Sequence, residues 1–145
     1  YIGFIKKMFP NSKVINCNRD PIDICWSNYK NFFSGSLPFS NNLNNLASYY
    51  FLYQNYIEFW KNLYPNEVYN IVYENLVENP KDEIKNLLNF CDLEWDDNCL
   101  NHEKNPKSIK TASWAQARKP IYKSAVKSSD HFRVYLTDLI KRLEV

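Results

Sequence analysis

The sequence predicts an α/β domain built on a parallel sheet with crossover helices. Two observations carry this. Two short runs of β-branched and aromatic residues, 13–17 and 67–72, are separated by long stretches whose apolar side chains recur at helical spacing. Each run also ends at a turn that opens another helix-like segment, the order in which strands of one sheet lie parallel. The 145 residues are one domain's worth, and a hydrophobic fraction of 45% suffices for a core. Two strands alone make a poor sheet, so more strands are expected from upstream polypeptide or from a partner chain.

Taken in order, Ile2, Ile5, Met8 and Phe9 recur at helical spacing up to Pro10. The turn signal Pro10-Asn11-Ser12 precedes a strand at 13–17, expected to be buried. Asp20 can cap the next helix, and Pro21 suits its first position, where no amide donor is needed. A helix over 21–33 would turn Ile22, Cys25, Trp26, Tyr29 and Phe33 inward. Residues 34–45, with Gly35 and Pro38, read as a Ser- and Asn-rich loop. The longest helix, 46–63, carries Leu46, Tyr49, Tyr50, Tyr53, Ile57 and Trp60 along one broad face. At that spacing aromatics are core rather than a base-stacking platform.

The second strand, 67–72, leads into Tyr73-Glu74-Asn75-Leu76. Asn79 is expected to cap a helix starting at Pro80, with Asp82 and Glu83 in its favourable first turn. Ile84, Leu87, Leu88 and Phe90 form its apolar stripe. Asp92 to Asn98 is an acidic turn, and 102–129 shows little periodicity. The last segment, 130–143, is amphipathic through Phe132, Tyr135, Leu136, Leu139 and Ile140.

Eighteen basic and sixteen acidic residues give a formal charge of +2. That near balance argues against a nucleic-acid binder. Cys17, Cys25, Cys91 and Cys99 show no C-x-x-C spacing, and with two histidines in the chain no metal site is expected. Nor is a disulfide framework expected, which favours a reducing, cytoplasmic compartment. The sequence has no signal peptide and no long apolar span, so no membrane segment is expected in this chain. It opens at Tyr1 within a helix-like pattern, which points to a piece of a longer protein.

Three places carry candidate chemistry. The first is Arg19, at the carboxyl end of the first strand, where ligands collect in open α/β sheets. Its planar, permanently charged fork suits phosphate. Ser27, eight residues on, could add a hydroxyl to the same oxygens. The plain alternative is that Arg19 only pairs with Asp20 or Asp23. The second place is Tyr73, at the end of the second strand, where an aromatic ring could cover a flat base. The third is the run Lys110 to Pro120, whose hydroxyls, amide and cations include Ser113 and Lys119. Loops held by a rigid scaffold often carry binding; the plain alternative is a solvated surface loop.

In combination these segments resemble the sulfotransferase family. Pro10-Asn11-Ser12-Lys13 through Arg19-Asp20-Pro21 and Ser27 looks like its 3′-phosphate-binding segment. Ile71 to Val77 with Asn79-Pro80 resembles its "YE-x-L" strand end. Phe90 to Trp95 followed by Cys99-Leu100 matches the short helix and turn after it. Lys110 to Tyr122 is similar to the "TAS-x-x-Q-x-R-x-P-I-Y" loop of the bacterial branch that often carries tetratricopeptide repeats, and more distantly to tyrosylprotein sulfotransferases. Each motif is unspecific alone, but four in order make a specific signal.

The resemblance implies a truncated, P-loop NTPase-like three-layer fold. It implies transfer of a sulfuryl group from 3′-phosphoadenosine-5′-phosphosulfate (PAPS) to a hydroxyl or amine, leaving 3′-phosphoadenosine-5′-phosphate (PAP). Arg19 and Ser27 would hold the 3′-phosphate, Tyr73 would lie near the adenine, and Ser113 and Lys119 would reach the nucleotide phosphates. Residues 1–145 would be the C-terminal part of a single domain, since the Gly-rich phosphosulfate loop is absent from them. No catalytic base is identified: His102 and His131 do not fall at a family catalytic position and read as surface histidines. Relatives show a Gly-Lys/Arg-Trp step where this chain has Val126-Lys127-Ser128-Ser129. The acceptor could be a carbohydrate, a peptide or a small molecule, with 34–45 the best candidate to line its pocket. A homo-oligomer is one outcome of the unpaired strand edge. The rival readings are another P-loop transferase, such as a nucleotide kinase, and a non-enzymatic helical interaction module.

Overall fold

The computed structural model describes residues 1–31, 33, 37–105, 107 and 118–144. In chain order these form α1 (Ile2–Met8), β1 (Val14–Asn18), α2 (Pro21–Tyr29), a 3-10 turn (Pro38–Asn41), α3 (Leu43–Leu63), β2 (Val68–Val72), α4 (Tyr73–Glu78) and α5 (Pro80–Phe90). Short 3-10 turns at Asp97–Leu100, His102–Lys104 and Asp130–Tyr135 lead to α6 (Thr137–Leu143). The two strands pair in parallel, Val14 opposite Val68 and Asn18 opposite Val72, with α2 and α3 as the crossover. The mixed α/β class expected from the alternation is therefore what the chain adopts.

Local chemistry sets the element ends. Asp20 caps α2 by accepting the Asp23 N–H at 2.9 Å, and Pro21 opens it. The helix stops at Tyr29, four residues before the expected end. The Asn31 side chain takes the Ser27 carbonyl at 2.7 Å, an acceptor that a continuing helix would use for the Asn31 main-chain N–H. Asn42 caps α3 through the Asn45 N–H at 3.1 Å, so this helix starts three residues earlier than expected. Asn79 stands at the N-cap position of α5 as expected, its carbonyl accepting the Glu83 N–H at 3.1 Å, but its side chain makes no capping bond; its own N–H closes α4 on the Asn75 carbonyl at 2.8 Å.

One core lies where α2, α3 and α6 meet, around Cys25, Leu46, Ala47, Leu136 and Leu139. α5 packs against the sheet, with Phe90 5.0 Å from Tyr69 between ring centres. β1 is less buried than expected: Ile15 is 44% exposed and Cys17 is exposed too. The buried residue of that strand is Asn16, which is held by polar contacts. Its amide donates to Asn70 Oδ1 at 2.9 Å, directly across the register, and its oxygen accepts the Tyr53 hydroxyl at 2.7 Å. The broad aromatic face of α3 is also only partly core, since Tyr49 is 51% exposed.

The start of the sheet is anchored by a buried lysine. Lys6 donates to the carbonyls of Pro10 (2.6 Å) and Ser12 (2.7 Å) and pairs with Glu67, whose own carbonyl accepts the Val14 N–H. Lys6 thereby joins α1, the turn before β1 and the residue before β2, which helps fix the register that places the strand ends.

Candidate functional site

Asn18 and Val72 are the last paired residues of β1 and β2, so Arg19 and Tyr73 leave the sheet side by side. The guanidinium carbon of Arg19 lies 4.9 Å from the centre of the Tyr73 ring. Two further bonds hold this corner. Asn18 Oδ1 accepts the Arg19 N–H at 3.0 Å, and Glu74 Oε1 accepts the Asp20 N–H at 3.0 Å. The second ties the residue after Arg19 to the residue after Tyr73.

Arg19 is engaged from its other side. Nη2 donates to Asp23 Oδ2 at 3.0 Å and to the Ala125 carbonyl. Its Nε is buried and has no hydrogen-bond partner among the described residues. Asp23 is fully buried and also accepts the Ser129 N–H at 2.8 Å and the Ser128 hydroxyl at 3.4 Å. One carboxylate thus fastens the 125–129 segment onto the first turn of α2. Within that segment Lys127 adopts φ 56°, a conformation that glycine would hold without strain.

The titration of these groups follows from the same contacts. Burial pushes the Asp23 carboxyl up, but hydrogen bonds from Ser129 and the Arg19 guanidinium outweigh it and hold it below the ordinary value of 3.8. Burial raises the Tyr73 phenol above 10.0, against a smaller opposing pull from Arg19. Tyr73 therefore stays a neutral ring with an O–H donor at physiological pH.

A small cavity of about 190 Å³ opens beside Tyr73, lined by Leu76, Val77, His102, Lys119, Pro120, Ile121 and Tyr122. Lys123, just beyond, lies 3.4 Å from Glu78 at the end of α4, with both side chains exposed. The structure thus brings Arg19 to Tyr73, and Tyr73 to Lys119. Ser27 is half-buried one turn past Asp23 on the same face of α2, with Asp23 between it and Arg19. Ser113 lies outside the described residues, as does the rest of 110–117 and Gly35.

The sequence reading missed two contributors and undervalued a third. His102 and Tyr122 line the cavity, although no local pattern around His102 marks it. Asp23 entered only as the plain alternative partner of Arg19, yet it is the hub of the corner; its i+4 spacing was the available signal. Among the described residues no group of three His, Cys, Asp or Glu converges to hold a metal, and all four cysteines are free. No helix among them is long and apolar enough to cross a membrane.

Comparison with known proteins adds two findings. A protein of Aquifex aeolicus (strain VF5) named "Uncharacterized protein" is 37% identical over 147 residues. That match takes in 99% of this chain but 19% of the relative, so the chain spans about a fifth of that protein. The sequence model described as "Sulfotransferase family" matches residues 1–97, which hold Arg19, Ser27, Asp23 and Tyr73 but not Ser113 or Lys119. With two strand-end motifs inside a match over most of its length, the chain belongs to the sulfotransferase family.

Proposed function

We propose that this chain supplies the 3′-phosphate- and adenosine-binding part of a PAPS-dependent sulfotransferase. The observation that carries the reading is the Arg19–Tyr73 corner: a guanidinium stacked on a phenol ring at the carboxyl ends of two parallel strands. The Arg19 Nε is a buried charged donor with no acceptor among the described residues, a state that costs at least about 1–3 kcal/mol. Bound PAPS supplies the activated sulfuryl group.

Arg19 grips the 3′-phosphate, with Ser27 further along the same helix face. The Tyr73 ring covers one side of the base in the cavity it shares with Lys119. Lys119 reaches the nucleotide phosphates, where its positive charge stabilises the leaving group, and Ser113 is assigned to the same phosphates from the family motif alone. In the overall reaction the sulfur–oxygen bond to the phosphate breaks and one to the acceptor oxygen forms. The products are the sulfated acceptor, PAP and a proton. We assign no base among these residues. Strands outside this chain would complete a P-loop-like sheet and carry the phosphosulfate loop.

Thermal melting tests the reading. PAP at one hundred times its dissociation constant is expected to add about 2.7 kcal/mol of stability. ATP, which lacks the 3′-phosphate, is expected to add less. Arg19→Ala is expected to remove the advantage of PAP over ATP. Equal effects of PAP and ATP on the unaltered chain would favour a nucleotide kinase instead, and no effect of either would favour a module without a nucleotide.

A further inference from the structure

A larger cavity of about 620 Å³ lies between α2, α3 and the Pro38–Asn41 turn, apart from the Arg19–Tyr73 corner. Its size falls in the range of roughly 300–1,000 Å³ usual for small-molecule sites. None of its twelve lining residues is Asp, Glu, Lys, Arg or His. One wall is the Phe39 ring lying parallel to Tyr49, 4.1 Å apart and 11° from coplanar. Ile24, Cys25 and Asn28 line it from α2, the helix that carries Ser27, and Cys17 lines it two residues before Arg19.

Three of the polar side chains inside are engaged by neighbours. The Tyr53 hydroxyl donates to Asn16, the Tyr50 hydroxyl accepts Gln54 at 2.5 Å, and the Asn28 amide donates to the Ile24 carbonyl at 2.9 Å. Burial pushes the Cys25 thiol up to about 11, so it brings no charge. A charged ligand would lose its hydration here without compensation, and a sugar would find only the Asn28 oxygen and the Tyr49 and Tyr56 hydroxyls open to its many hydroxyls. A flat apolar ring would match the stacked wall.

We propose that this cavity binds an uncharged, ring-bearing small molecule with one hydroxyl. On the sulfotransferase reading given above, that molecule is the acceptor. Asn28, whose amide nitrogen is held by the Ile24 carbonyl, would offer its side-chain oxygen to that hydroxyl. Phe39 comes from the 34–45 segment, so that segment contributes a wall of the site.

The test titrates 2-naphthol, 1-octanol and sucrose against the ¹⁵N-labelled chain, with PAP in a parallel sample. The expected result is saturable 2-naphthol shifts confined to residues around Ile24, Asn28, Leu46 and Ile57, with slower alkylation of Cys17. Leu52→Lys, and independently Tyr49→Lys, are expected to weaken naphthol binding at least tenfold. Leu52 is 59% exposed, so the melting temperature of that variant should hold, whereas Tyr49→Lys also gives up the Phe39 stack and is expected to melt slightly lower. Absent or diffuse shifts, equal binding of octanol or sucrose, or unchanged binding by both variants would overturn the proposal. PAP binding without naphthol binding defeats the cavity alone. Naphthol binding without PAP binding supports the cavity and defeats the nucleotide reading.

Discussion

Arg19 and Tyr73 are each the first residue past the final pair, Asn18 opposite Val72, of two parallel strands, and the guanidinium stacks on the ring at 4.9 Å. The two are far apart in sequence, and only the register makes them neighbours. A cation and an aromatic face meeting at a sheet's carboxyl edge can take a phosphate on one and a base on the other.

Tyr73 is the first target. A desolvated cation–π contact is worth about 1–2 kcal/mol. Tyr73→Ala is expected to weaken PAP binding by a factor of about 5–30, and Tyr73→Phe much less, because the ring remains. Calorimetric titration of the three proteins checks this; a Phe variant as weak as the Ala variant would assign the effect to the hydroxyl.

Asp23 should govern the acid limb of stability. Its carboxyl is held below 3.8 in the fold, so the unfolded chain takes up its proton first as pH falls. The stability it contributes is complete well above that unfolded value and declines as pH drops through it toward the folded one. Melting curves from pH 6 to pH 2.5 should show that decline, and Asp23→Asn should flatten it. Asp23→Ala leaves Arg19 largely buried and unpaired, at a cost of about 3–5 kcal/mol near neutral pH.

The Asn16–Asn70–Tyr53 network should behave as a unit. Asn16→Ala strips partners from the Asn70 and Tyr53 side chains at once and is expected to cost about 1–3 kcal/mol. Tyr53→Phe is expected to cost less. The double variant should fall short of the sum, as coupled neighbours do. Additive losses in urea unfolding would show that the two bonds act independently.

Self-association is expected through α1 and the far end of α3. Phe4, Met8, Phe9, Phe59 and Leu63 are each more than half exposed, and Gly3 of α1 lies against Trp60 of α3. Apolar surface of this kind on adjoining helices favours contact with a second copy. Sedimentation should show a concentration-dependent dimer that Phe59→Lys weakens; a monomer at all concentrations would discard the idea.

Much of this was legible beforehand. Periodicity placed both strands within a residue or two and located α1, α2, α3 and α5, because apolar spacing reflects which face is buried. Asp20 and Pro21 marked the start of α2, since a cap acts within one turn. Asn79 marked the start of α5 correctly, but its side chain makes no capping bond there. The end of α2 was missed because the Asn31 side chain competes for a carbonyl that no apolar pattern reveals. Tyr49 shows the other limit, since helical spacing reports a shared face and not what covers it.

The sequence by itself determined the element types, the family's strand-end motifs, and the presence of Arg19 and Tyr73 at those ends. These are local matters of spacing, capping and side-chain chemistry. Only the tertiary structure decided that Arg19 stacks on Tyr73, that Asp23 binds it to the 125–129 segment, and that His102 shares a cavity with Lys119. Such contacts depend on strand register and helix packing, whose energies are summed over residues far apart in the chain.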